Sequence, residues 1–176
     1  MKTKVCSFTL AALCASTAVA QTPIDSVRPA KVATAVRIDR PIHLDGKLDD
    51  AQWASAPPLT DFIEKEPIEG AVPGDKMEVR FLYDDDALYV GTRVLSKDPT
   101  HIQAPVSRRD NISQAEHIWI SFDSYRDHRT AYSFGITASG VRGDWYHPSD
   151  SENDIDLSFD PVWEAAADIN STGWTA

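Results

Sequence analysis

Apolar and polar residues alternate with a period of two along most of the chain beyond residue 76. Met77, Val79, Phe81 and Tyr83 alternate with Glu78, Arg80 and Leu82, which predicts a strand with one apolar face. Asp84-Asp85-Asp86 reads as a turn, and Leu88, Val90, Thr92 and Val94 then alternate again. Residues 76–95 are therefore a predicted hairpin. Ile118, Ile120 and Phe122 line one side of a further strand, with His117, Trp119 and Ser121 on the other. Tyr132, Phe134 and Ile136 form the next, Ser139-Gly140 turns the chain, and residues 141–146 return. Trp163, Ala165, Ala167 and Ile169 make another alternating run, and Trp174-Thr175-Ala176 starts one more after the turn at Ser171-Thr172-Gly173.

Before the hairpin the grammar differs. Val32 to Ile38 reads as a first short strand. Asp49 is placed as a helix N-cap, with Gln52 three residues on at capping-box spacing. Leu48 and Trp53 then form a hydrophobic staple, and Pro57-Pro58 stops the helix. One short helix near residues 49–55 follows, with Trp53 plugging one end of a core. Short strands with turn signals between them, and one helix, predict an all-β fold. The expected architecture is an antiparallel β-sandwich of the jelly-roll or immunoglobulin-like two-sheet kind.

Residues 1–20 change the picture of organisation. Lys2 and Lys4 precede an apolar run from Phe8 to Ala15, and Ala18-Val19-Ala20 is a small-residue cleavage pattern. This is the expectation for a signal peptide, with residues 21–35 as a linker and 36–176 as the module. The last run stops three residues into a strand, so the module is expected to be C-terminally truncated. Export to the periplasm, the outer membrane surface or the exterior follows. Cys6 and Cys14 both lie in the leader, so the exported part has no thiol for a disulfide or a nucleophile. The chain of 176 residues carries 17 Lys and Arg against 27 Asp and Glu, a formal charge of -10. Nucleic acid is excluded as a partner, because a polyanion needs a basic face.

Sugars bind by stacking on aromatic rings and by hydrogen bonds to their hydroxyls. Trp145-Tyr146 with Arg142, Asp144 and His147 is one such cluster. On a strand Arg142, Asp144 and Tyr146 share a face and Trp145 takes the other. Trp119 points away from Ile118 and Ile120, and is either a platform or packed under a loop. The weighed ligand residues are thus Trp119, Arg142, Asp144, Trp145 and Tyr146. Asp84-Asp85-Asp86 and the loop from Asp150 to Asp160 are the places where calcium could sit, although neither has EF-hand spacing. Arg108-Arg109-Asp110 is an anion contact or a surface ion pair. No metalloprotease motif or nucleophile elbow is present, and His43, His101, His117, His128 and His147 have no ligand spacing. No catalytic or metal residue is assigned. Met77 is the one methionine available beyond the leader for a haem ligand, and its pattern places it as a strand residue.

Three segments carry a resemblance. Leu44-Asp45-Gly46-Lys47-Leu48-Asp49-Asp50-Ala51-Gln52-Trp53 is similar to the opening "I-D-G-x-x-D-E-x-x-W" of family 9 carbohydrate-binding modules, a DOMON-like family. Residues 79–90, with Tyr83-Asp84-Asp85-Asp86-Ala87-Leu88-Tyr89-Val90, resemble its hairpin "Y-D-D-x-x-L-Y-V", and Ile118-Trp119-Ile120-Ser121-Phe122-Asp123 resembles its next strand. Arg108-Arg109-Asp110, Asp127-His128-Arg129-Thr130-Ala131-Tyr132 and Val162-Trp163-Glu164-Ala165 look like a bacterial subgroup. There the module precedes a domain resembling an outer-membrane barrel, and Gly173-Trp174-Thr175-Ala176 would lead into another strand and then the rest of the protein. The resemblance implies a non-catalytic saccharide-binding module without cofactor. A docking domain for such a barrel, or a glycoside hydrolase acting on O-glycosyl bonds, are the other readings. This chain departs from the family at its sugar contacts. Trp119 stands in place of a strand Glu, Gly135 in place of a strand Arg, and Asn111-Ile112-Ser113-Gln114-Ala115 where a stacking Trp is usual. The resemblance therefore implies the fold and carries over none of the family's sugar contacts.

Overall fold

The computed structural model describes residues 31–151 and 153–176, so the leader and most of the linker lie outside the described residues. Among the described residues the strands are β1 (Ala35–Arg37), β2 (Lys76–Tyr83), β3 (Leu88–Leu95), β4 (His117–Phe122), β5 (Ala131–Thr137), β6 (Arg142–His147), β7 (Asp168–Asn170) and β8 (Gly173–Thr175). They build two sheets, one in the order β1-β2-β3-β8-β7 and one in the order β4-β5-β6. Every pairing is antiparallel except β1 with β2, which is parallel. The chain is thus nearly all-β with two antiparallel-rich sheets, as the alternation predicts.

The hairpin of β2 and β3 pairs in unbroken register from Lys76 opposite Leu95 to Tyr83 opposite Leu88. Its turn is closed by one side chain. The Asp84 carboxylate accepts the N–H groups of Asp86 and Ala87 at 2.9 and 2.8 Å through Oδ1, and the Tyr89 hydroxyl at 2.8 Å through Oδ2. The Asp86 N–H, followed by the Tyr89 hydroxyl, lowers the Asp84 pKa below its ordinary value. A depressed folded value means that this contribution to stability is complete above the unfolded value near 3.9. It is lost as pH falls through the folded pKa. Asp84→Asn should therefore melt below the parent at neutral pH, and the gap should close towards pH 3. Paired thermal melts across that range check this; a gap independent of pH would mean that the charge plays no part.

The hairpin departs from expectation in one respect. Val79 is buried on the apolar side, yet Leu82, assigned to the polar side with Glu78 and Arg80, is 0% exposed. The reason is that residues 38–56 fold over this second side. Ile38, Ile42, Trp53, Ala56 and Leu82 form one buried cluster. Trp53 fits because Gly91 beneath it has no side chain: a Cβ there would lie 2.7 Å from the ring. Both faces of the hairpin are therefore covered.

The short helix is present but is a 3-10 helix, Ala51–Ser55, with Asp50 rather than Asp49 as N-cap. No side chain caps it. The Asp50 carboxylate accepts the His43 N–H at 3.2 Å instead. Five residues are also too few to sustain an α-helix. Its far end is closed from the hairpin, where the Arg80 guanidinium donates to the carbonyls of Ala56 and Trp53.

The strand expected from Trp163 to Ile169 forms only as β7, and Ile169 is exposed. Trp163 is drawn sideways to the second sheet. Its indole N–H donates to Asp144 at 3.2 Å, its carbonyl accepts from Arg142, and its ring meets Phe134 edge-on at 5.3 Å. The first strand is likewise shorter than Val32–Ile38: it pairs with β2 only at Ala35, Val36 and Arg37, and upstream Leu59 takes the edge of β2 by exchanging main-chain bonds with Val79. Trp174, in the last three-residue strand, is 2% exposed and packs into the first sheet opposite Val94.

Candidate functional site

The register of the second sheet decides what its outer face carries. Trp119 lies opposite Gly135, and Gly135 opposite Gly143. Ser121 lies opposite Ser133, and Ser133 opposite Trp145. Trp119, Ser121, Ser133 and Trp145 thus share one face, as period two requires. The glycines make room on it. A Cβ on Gly135 would meet the Ile112 side chain at 2.8 Å and the Trp145 ring at 3.3 Å. Trp145 therefore leans over Gly135 and meets Trp119 edge-on, with ring centroids 6.0 Å apart at 73°.

Both indoles are held in place. The His117 ring stacks on Trp119 at 5.1 Å and 19°. His117 is itself fixed by Nδ1–H donating to the Ala115 carbonyl at 2.7 Å. The Trp145 N–H donates to His147 Nε2 at 2.8 Å, so that nitrogen carries no proton. Trp119 nevertheless remains 56% exposed. Beside it the Ser121 and Ser133 hydroxyls share a 2.6 Å hydrogen bond. Ser121 is exposed and Ser133 is buried, so Ser121 is the hydroxyl that solvent reaches. The result is an aromatic platform with a polar margin.

Of the weighed residues, the structure brings Trp119 and Trp145 together. Arg142, Asp144 and Tyr146 lie on the opposite face, turned away from the platform. Asp144 is 1% exposed, and its Oδ1 accepts from Arg109 Nε at 3.1 Å, Arg109 Nη2 at 2.6 Å and the Trp163 indole. Arg142 lies over the Trp163 ring, 5.7 Å from its centroid. The Tyr146 ring packs at 5.0 Å against Tyr132, which meets Phe159 at 4.9 Å. These three hold the second sheet together. His117 and Ser121 were missing from the weighed residues. Their signal was present, since both share the alternating side with Trp119.

In Arg108-Arg109-Asp110 the arginine at 109 is engaged in ion pairs, one of them at the surface. Arg109 bridges buried Asp144 and exposed Asp160, the latter at 2.7 Å. Asp110, at a φ of 68°, accepts the Asp144 N–H on its carboxylate and donates its own N–H to the Arg142 carbonyl. At the acidic places, Asp84 spends both oxygens on its turn. Asp156 exchanges main-chain bonds with Tyr146, and its carboxylate accepts the Ser158 N–H. Among the described residues no group of three or more His, Cys, Asp or Glu is placed to hold a metal ion.

The inner face of the second sheet borders a cavity of about 630 Å³. Ile118, Ile120, Phe122 and Phe134 line it on this side, with Val90 and Trp163 among the residues opposite and beside them. The walls are mostly apolar, with His43, Lys47, Thr92 and Glu164 among the lining residues. No family model matches this chain, and no curated protein matches it.

Proposed function

We propose that this is a non-catalytic carbohydrate-binding module whose ligand rests on the outer face of the second sheet. The exposed Trp119 ring, held by His117 on one side and Trp145 at its edge, carries the reading. Trp119 is not a lone surface residue but part of a contiguous ring cluster with His117 and Trp145, and contiguous exposed apolar patches mark binding surfaces. The C–H face of a pyranose suits such a patch, because it is apolar and flat while its rim is polar. Ser121 stands at that rim, and the free ring nitrogen of His117 is a second hydrogen-bonding group there. The resemblance of the Leu44–Trp53 and hairpin segments to carbohydrate-binding modules agrees with this reading. The leader-like N-terminus agrees with an exported module that meets glycans outside the cytoplasm.

Calorimetry against a panel of mono- and oligosaccharides tests it. At least one saccharide should release heat, and Trp119→Ala should weaken that binding at least tenfold, which is about 1.4 kcal/mol. Tyr125→Ala, at an exposed aromatic away from the platform, should leave it unchanged. Silence across the panel, or a loss that follows Tyr125 rather than Trp119, would refute the assignment.

A further inference from the structure

The two outer edges of the second sheet are treated differently. In an antiparallel ladder, successive residues aim their main-chain groups to alternate sides. On β6, Arg142, Asp144 and Tyr146 aim theirs away from β5, and four of those six groups are met. The Arg142 carbonyl accepts from the Asp110 N–H at 3.0 Å, the Asp144 N–H donates to the Asp110 carboxylate at 3.1 Å, and Tyr146 exchanges two bonds with Asp156 at 3.0 and 2.8 Å. On β4 the Glu116 carbonyl accepts from the Ala138 N–H at 2.9 Å, which sets the phase. Ile118, Ile120 and Phe122 therefore aim at β5, and His117, Trp119 and Ser121 aim outward. Among the described residues β4 pairs with β5 alone, and those three outward positions have no main-chain partner.

Free edges of this length are usually blunted by charge, proline or a bulge. From His117 to Phe122 this edge has no Lys, Arg, Asp, Glu or Pro, and its register with β5 is unbroken. The side chains that alternate with the outward groups, Ile118, Ile120 and Phe122, are half-buried and border the apolar cavity of about 630 Å³. Two needs thus coincide at one place: a row of donors and acceptors along the edge, and apolar volume at alternate positions beside it. A lipid chain would fill the volume and leave the row unmet. A sugar would meet the row and leave the apolar walls wet.

We infer that the β4 edge is a docking site for an extended polypeptide strand. Its main chain continues the sheet beyond β4, and every second side chain, apolar and of Val or Leu size, enters the cavity. Six residues of edge span about 20 Å, so the docking segment has about six residues. This is strand addition, in which the backbone supplies affinity and the alternate pockets supply selectivity.

The experiment uses the chain with a nine-residue peptide, Lys-Thr-Val-Thr-Val-Thr-Leu-Thr-Lys, and the same peptide N-methylated at the threonines. Amide hydrogen exchange is read residue by residue, with calorimetry alongside. The unmodified peptide should slow exchange at His117, Trp119 and Ser121 at least tenfold, and the methylated one should not. Ser121→Pro removes one outward N–H and none that faces β5, so it should keep the circular dichroism of the parent and bind the peptide at least tenfold more weakly. If that variant does not fold, the methylated peptide on the parent chain still decides. Trp119→Ala should keep peptide binding while losing any sugar response, so this inference and the carbohydrate reading fail separately. Three results overturn the inference: the three amides are already protected in the chain alone, the peptide gives no protection at millimolar concentration, or N-methylation makes no difference. A concentration-dependent dimer that Ser121→Pro abolishes and the peptide does not compete with would give the edge to a second copy, and overturns it too.

Discussion

Trp53→Ala should lower the unfolding free energy by about 3–5 kcal/mol, and Trp53→Phe by less than half as much. The ring is 5% exposed and sits among Ile38, Ile42, Ala56 and Leu82, so truncation removes the centre of that cluster. Against a total stability of about 5–15 kcal/mol, the alanine variant stands close to unfolding. Phenylalanine behaves differently because of the indole nitrogen. The Trp53 N–H is buried without a hydrogen-bond partner among the described residues. Removing a donor that makes no bond removes no bond energy, and it relieves the desolvation that the donor costs. What Phe loses is part of a ring's packing. Gly91→Ala should approach the alanine loss by the opposite route, since its new methyl would occupy the ring's own place, 2.7 Å from Trp53. Urea denaturation of the three variants tests this. Equal losses for Phe and Ala at position 53 would mean that the nitrogen has a partner after all.

The contrast between Trp53 and Trp163 shows what alternation can convey. Period two identified the hairpin because its two faces alternate cleanly and Asp84 closes the turn between them. It also shows which residues share a side, and so separates Trp119 from Ile118 and Ile120. Alternation does not say what covers a side. Alternation puts Leu82 on the polar side because nothing local reveals that residues 38–56 return over it. Alternation makes Trp163 a strand residue because its competing bonds go to Asp144 and Arg142, far away in sequence. The platform was half legible for the same reason. Trp119 and Trp145 are 26 positions apart, and they meet only because Gly135 falls between them in the register of three strands. A glycine in a strand gives no notice of which neighbour will use its space.

Arg109→Met should destabilise the protein more than Asp144→Asn, although the arginine is the more exposed partner. The side chains are 36% and 1% exposed, with Nη2 and Oδ1 2.6 Å apart. The hydrogen bond to Asp144 is also the main cause that raises the Arg109 pKa above its ordinary value. Asp144→Asn exchanges a charge-assisted acceptor for a neutral one at the same place, so the bond is weakened rather than lost, and it leaves a guanidinium that can turn to water and to Asp160. Arg109→Met leaves a buried carboxylate with the Trp163 indole as its remaining side-chain donor. An uncompensated buried charge is the costlier residue of a broken pair. The double variant should then lose less than the two single losses together, because the asparagine removes the charge that the first change stranded. Denaturant titration of the two single variants and the double one reads all three values. If Arg109→Met behaved as an ordinary surface substitution, the Asp144 carboxylate would have to be solvated in the folded state. The pair matters beyond its own energy, because it ties the segment that supplies Ile112 to the strand that supplies Trp145. Asp110 adds two links to the main chain of that strand, donating its N–H to the Arg142 carbonyl and accepting the Asp144 N–H on its carboxylate. A chain without Arg109 should accordingly show faster amide exchange at Asp144 and Tyr146 than at Gly135, where the central strand is held on both sides.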